Sequence, residues 1–149
     1  MAKIHKSILI HAPVDKVFHY LTDPRNMPEF WPAMVEIRNV TPNPNGGTNF
    51  SWVYKMAGMH FEGESQTTEI VPNSLIVTHS PKGIESTFRW EFESVKNGTQ
   101  INLETEYKIH IPLLGKLAEA VILKQNEHEA ETTLKNLKDR MEIEMPMPA

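Results

Sequence analysis

The sequence contains no cysteine, which excludes disulfide staples and thiolate chemistry. It has no surplus of positive charge either: 15 Lys and Arg stand against 19 Asp and Glu, a formal net charge of −4. A nucleic-acid partner, which calls for a basic face, is therefore not expected. No apolar run approaches the ~20 residues of a membrane span, so stable membrane insertion is not expected. The opening segment MAKIHKSILI has only a short apolar run and no small-residue cleavage pattern, unlike a signal peptide. A cytoplasmic location is the corresponding expectation. No Gly-rich phosphate loop, GxSxG or HExxH occurs, and no cofactor or metal is implied.

What remains is 149 residues, 40% of them hydrophobic and 23% charged, enough for one globular domain over 1–149. In IHKSILIHA, Ile4, Lys6, Ile8 and Ile10 share one face of a strand. Pro13 sits where a first helical turn accepts proline. Val14, Val17, Phe18 and Leu21 follow at helical spacing. TDPRNMPEFW predicts a second short helix with Asp23 as N-cap and Pro24 in the first turn, kept brief by Pro28 and Pro32. Six strand patterns come next: MVEIRNV, TNFSWVYKM, MHFEGESQTTEIV, LIVTHS, IESTFRWEFESV and QINLETEYKIHI, separated by Gly-, Pro- and Asn-rich breakers. Asn97-Gly98 is a tight-turn signal. The last helix is expected from about Leu113 to Glu144, roughly 45 Å long, with MPMPA as a tail. Strands followed by a segregated helix predict an α+β fold of successive antiparallel hairpins.

Side-chain alternation sorts the strand residues by face. Phe50, Trp52, Tyr54 and Met56 point one way, and so do Ile84, Ser86, Phe88, Trp90 and Phe92. Ile101, Leu103, Thr105, Tyr107, Ile109 and Ile111 share a face of the last strand. One face of the sheet is thus apolar and rich in aromatics, and it points at the long helix. Such a wall is either solid core or the lining of a cavity. Trp52, Tyr54, Trp90 and Tyr107 each carry a polar atom that wants a partner when buried, which suits a cavity.

SILIHAPVDKVFHYLTDPRNMPEFWP and TLKNLKDRME resemble the opening and the closing helix of the polyketide cyclase/dehydrase-like branch of the START-related superfamily, the helix-grip fold. The resemblance implies a curved seven-stranded antiparallel sheet around the long C-terminal helix, two short helices after strand 1, and a deep apolar cavity between sheet and helix. It implies no particular catalytic residue, because members include carriers, cyclases, quinone-binding proteins and chaperone-ATPase activators.

The stretch KQNEHEAETT, 124–133, interrupts the apolar stripe of the long helix; Ala130 is its one apolar residue. At about 100° per residue, Leu123, Glu127, Ala130, Leu134, Leu137 and Met141 fall on one stripe. Leu134, Leu137 and Met141 would grip the sheet. The middle would roof the cavity, with Glu127, and Asn126 or Glu131 at the edge, facing it. The alternative is that Glu127 lies in solvent beside a lysine. The candidate ligand-binding set is therefore Phe50, Trp52, Tyr54, Phe88, Trp90, Tyr107, Leu123, Glu127 and Ala130.

Two clusters invite a metal reading. His60, Glu62 and Glu64 share a strand face, but Gln66 and Thr68 continue it as a solvated surface. Glu127, His128 and Glu129 diverge by about 100° per position and cannot converge on one ion. Leu113, Leu114, Leu117, Val121, Ile122 and Leu123 make the start of the long helix apolar nearly all round. A homodimer contact or a gate to the pocket suits that segment better than a membrane surface, since only Lys116 and Lys124 supply positive charge. Three functions stand open: binding of a small hydrophobic or aromatic molecule, a cyclase or dehydratase using the same cavity, or an interaction protein.

Overall fold

The computed structural model describes residues 2–108 and 115–148. Strand β1 (Ala2–Ile10) leads into helix α1 (Val14–Thr22). A 3₁₀ turn (Pro24–Asn26) and the single-turn helix α2 (Met27–Phe30) follow. Then come β2 (Met34–Pro42), β3 (Thr48–Met56), β4 (Met59–Val71), β5 (Leu75–Lys82), β6 (Ser86–Val95) and β7 (Gly98–Tyr107), and last helix α3 (Lys116–Glu144). The strands form one antiparallel sheet in the order β1-β7-β6-β5-β4-β3-β2. This is the expected α+β helix-grip architecture.

Local chemistry sets the elements. The Asp23 side chain accepts from the Arg25 backbone N–H at 3.0 Å, a cap for the short turn ahead of α2. Pro28 and Pro32 limit α2 to one turn, so the second expected helix is split between a 3₁₀ turn and α2. Pro13 stands just outside α1, as its N-cap. Register shifts in β2 and β4 are bulges, and Asn39, at φ 56°, takes up the left-handed turn of one of them. Bulges bend a strand and tighten its twist, which curves the β2–β5 half of the sheet toward α3.

The solid core lies at one end of the concave face. Leu134, Leu137 and Met141 of α3 are buried there with Ile10, Val17, Phe30 and Ile101. Asn136 Nδ2 donates to the Phe30 carbonyl at 3.1 Å, and Arg140 pairs with Glu29 at 2.9 Å, fixing α2 against α3. On the other flank Lys6 of β1 reaches Glu131 at 2.9 Å. The expected helix start at Leu113, and Ile109 and Ile111 of the last strand pattern, lie outside the described residues.

Candidate functional site

Beyond the anchored half of α3, sheet and helix separate around a cavity of about 80 Å³. Its walls follow from side-chain size along the concave face. Phe50, Trp52 and Tyr54 on β3 form one bank; Phe88 and Trp90 on β6 and Tyr107 on β7 form the other. The strands between them carry small residues inward: Ser65 on β4 and Thr78 on β5 line the floor. Large banks over a floor of short side chains leave a hollow. Gly63 on β4 belongs to the same device, since any Cβ there would run into the Trp52 ring and the Lys82 carbonyl. Trp52 Nε1 donates to Ser65 Oγ at 2.8 Å, which satisfies the indole. Trp31, in the connection after α2, closes one end, edge-on to Tyr54 at 6.2 Å and tilted on Phe88 at 5.1 Å.

The helix side supplies Asn126, Thr133 and the one charged lining residue among the described residues, Glu129. Glu129 Oε1 accepts from Trp31 Nε1 and from the Tyr54 hydroxyl, both at 3.0 Å. Three elements meet at this one oxygen. Burial raises the Glu129 carboxyl above its ordinary range, outweighing the two hydrogen bonds, which favour the charged form. Tyr54 is also raised, by burial first and then by the negative charge of Glu129. One turn earlier, Asn126 Nδ2 donates to the Tyr107 hydroxyl at 2.7 Å. One turn later, Thr133 lines the cavity, and its Oγ1 is buried without a hydrogen-bond partner among the described residues. A carboxylate in an apolar hollow, braced by two donors, can hold a ligand's donor group or exchange a proton.

The family model described as "Polyketide cyclase / dehydrase and lipid transport" matches residues 1–142. The chain belongs to this family. No curated protein matches its sequence. Among solved structures, a protein from Thermus thermophilus is 21% identical, with a TM-score of 0.81 over 93% of this chain and 95% of its own. A START superfamily protein from Mycobacterium smegmatis is 14% identical, with a TM-score of 0.80 over 96% and 99%. The Zhui aromatase/cyclase from a Streptomyces species is 12% identical, with a TM-score of 0.75 over 95% and 94%. At these identities the likeness is one of fold.

Within this polyketide cyclase/dehydrase-like fold, seven of the nine expected site residues come together: Phe50, Trp52, Tyr54, Phe88, Trp90, Tyr107 and Ala130 all line the cavity. Leu123 and Glu127 do not. Leu123 packs beside Ile4, Met56 and Ile122 at the margin. Glu127 is half-buried on the flank nearer β1, where its charge acts on Lys6. Glu129 takes the place expected of Glu127. The buried face of α3 widens toward its middle: Ala130 stays in line with Leu137 and Met141, while Glu129 and Ile122 lie roughly 90° further round. A straight extrapolation from the anchoring leucines therefore lands on the wrong glutamate. Trp31 is a wall that sequence reasoning misses, because an irregular proline-flanked segment has no periodicity to read.

The other clusters stay apart from the cavity. His60, Glu62 and Glu64 are exposed, with Glu62 near Arg38 and Glu64 near Lys82. Among the described residues no group of three His, Asp or Glu could hold a metal ion, and no helix is long and apolar enough to cross a membrane. In the apolar start of α3, Leu117 and Val121 are exposed while Ile122 is buried; Leu113 and Leu114 lie outside the described residues.

Proposed function

We propose that this protein binds a small hydrophobic or aromatic molecule, of lipid, polyketide or quinone type, in the cavity between the sheet and α3. The observation that carries this reading is an aromatic wall on two banks of a hollow whose one charged lining residue among the described residues, Glu129, sits on the helix side. Apolar rings would meet apolar rings, and the ligand's polar end would meet Glu129. A cavity known to hold benzene measures about 150 Å³, so a space of about 80 Å³ must widen as it fills.

All three tryptophans of the chain, Trp31, Trp52 and Trp90, line the cavity, so their emission reports its occupant. Titration with an alkylbenzene should change that emission saturably, and native mass spectrometry should show the corresponding mass. Unchanged emission up to the solubility limit, with no bound mass, would refute the reading.

A second reading is acid–base catalysis of the cyclase or dehydratase type in the same cavity, supported by the Glu129–Tyr54 pair. The two readings separate on the fate of the ligand: a carrier returns it unchanged after prolonged incubation, whereas a catalyst returns a product.

A further inference from the structure

The hydrogen bonds around the cavity leave specific valences unused. Glu129 spends both of its protein contacts on Oε1. Its Oε2 receives no hydrogen bond from the described residues and is an acceptor when the carboxyl is ionised. Tyr107 accepts from Asn126, so its own O–H proton is uncommitted among the described residues and remains a donor. Donation by the amide leaves that O–H more polarised and a stronger donor. Thr133, a residue 1% exposed, also lines the cavity, and its buried hydroxyl has no partner among the described residues. Asn126, Glu129 and Thr133 follow one another along α3 at about 4.5 Å and then about 6 Å of rise. An unpartnered buried hydroxyl is costly in a dry site, so a polar atom of a bound molecule within its reach would be favoured.

We propose that this strip reads the oxygenated edge of a ring-bearing ligand at two points: the Tyr107 hydroxyl donates to a carbonyl oxygen, and Glu129 Oε2 accepts from a hydroxyl. The ligand class is a ring-bearing molecule with a carbonyl and a hydroxyl on one edge, its opposite edge against the aromatic banks. This inference rests on the cavity being a ligand site.

Three probes of nearly one size separate the two points: ethylbenzene, 4-ethylphenol and acetophenone. The first carries no polar group, the second a hydroxyl that donates strongly and accepts weakly, the third a carbonyl that only accepts. Their affinities are measured by calorimetric or NMR titration at about pH 8, toward the ionised form of Glu129, for the wild type, Glu129→Gln and Tyr107→Phe. Glu129→Gln keeps the Oε1 contacts but replaces the free acceptor by an amide N–H. It should weaken 4-ethylphenol about tenfold and leave acetophenone within about twofold. Tyr107→Phe should do the reverse. Ethylbenzene should bind all three proteins alike. Should Tyr107→Phe not fold, the carbonyl carbon of wild-type-bound acetophenone must move downfield, as a hydrogen-bonded ketone does. Ethylbenzene binding without such selectivity between the other two probes, or an unshifted carbonyl in bound acetophenone, overturns the two-point inference alone. Failure of every probe to bind the wild type overturns the cavity reading and this inference with it.

Discussion

Glu129 is the residue whose environment differs most from what its chemistry prefers. A carboxylate ordinarily titrates near 4.5, and burial raises this one. The folded chain therefore holds a proton on Glu129 over a pH range in which the unfolded chain has released it. By linkage, stability contributed by this group falls as pH rises from 4.5 through the raised folded value, and the deficit is complete above it. The groups facing the carboxyl are Trp31 from the α2 connection and Tyr54 from β3, while Lys6 of β1 is occupied by Glu131 on the opposite flank. Glu129→Gln should thus gain stability relative to the wild type between about pH 4 and about pH 8. Urea denaturation of both proteins at the two pH values checks this. A difference that does not change with pH would place the carboxyl in ordinary solvent. None of this was readable at the residue level: the sequence marks a polar interruption in the helix, but residues 127 and 129 differ only in which flank of α3 they occupy.

At the scale of elements, strands are more legible than helices. A strand offers two faces, so one buried aromatic fixes the direction of all its neighbours. Every residue assigned inward on β3 and β6 does face inward. A helix offers a continuous circle, and its buried face can widen where it crosses from a packed core to a hollow, as that of α3 does. The same division appears within β6. Phe92 packs edge-on against Phe18 at 5.3 Å in the closed core, whereas Phe88 lies half-buried at the cavity wall. Phe92→Ala should cost the ~3–5 kcal/mol of a large core truncation. Phe88→Ala should cost roughly half as much, because part of its surface has no packing partner to lose. Denaturant midpoints of the two variants give the comparison, and equal losses would mean that the hollow is packed solid.

For the molecule as a whole, the order of elements, the hairpin series and the closing helix were legible because each rests on local periodicity and turn chemistry. The hollow was legible only as a conflict between an aromatic sheet face and a helix polar in its middle. Its floor was not, since the small inward residues of β4 and β5, Ser65 and Thr78, look unremarkable until the two banks stand on either side of them. The central claim is that this hollow, and not the exposed Leu117 and Val121 at the start of α3, takes the ligand. Intermolecular nuclear Overhauser effects in the ethylbenzene complex test it most directly. Contacts are predicted from the ethylbenzene ring to the side-chain protons of Phe88, Trp90 and Tyr107. Contacts to Leu117 and Val121 with none to those three rings would contradict it.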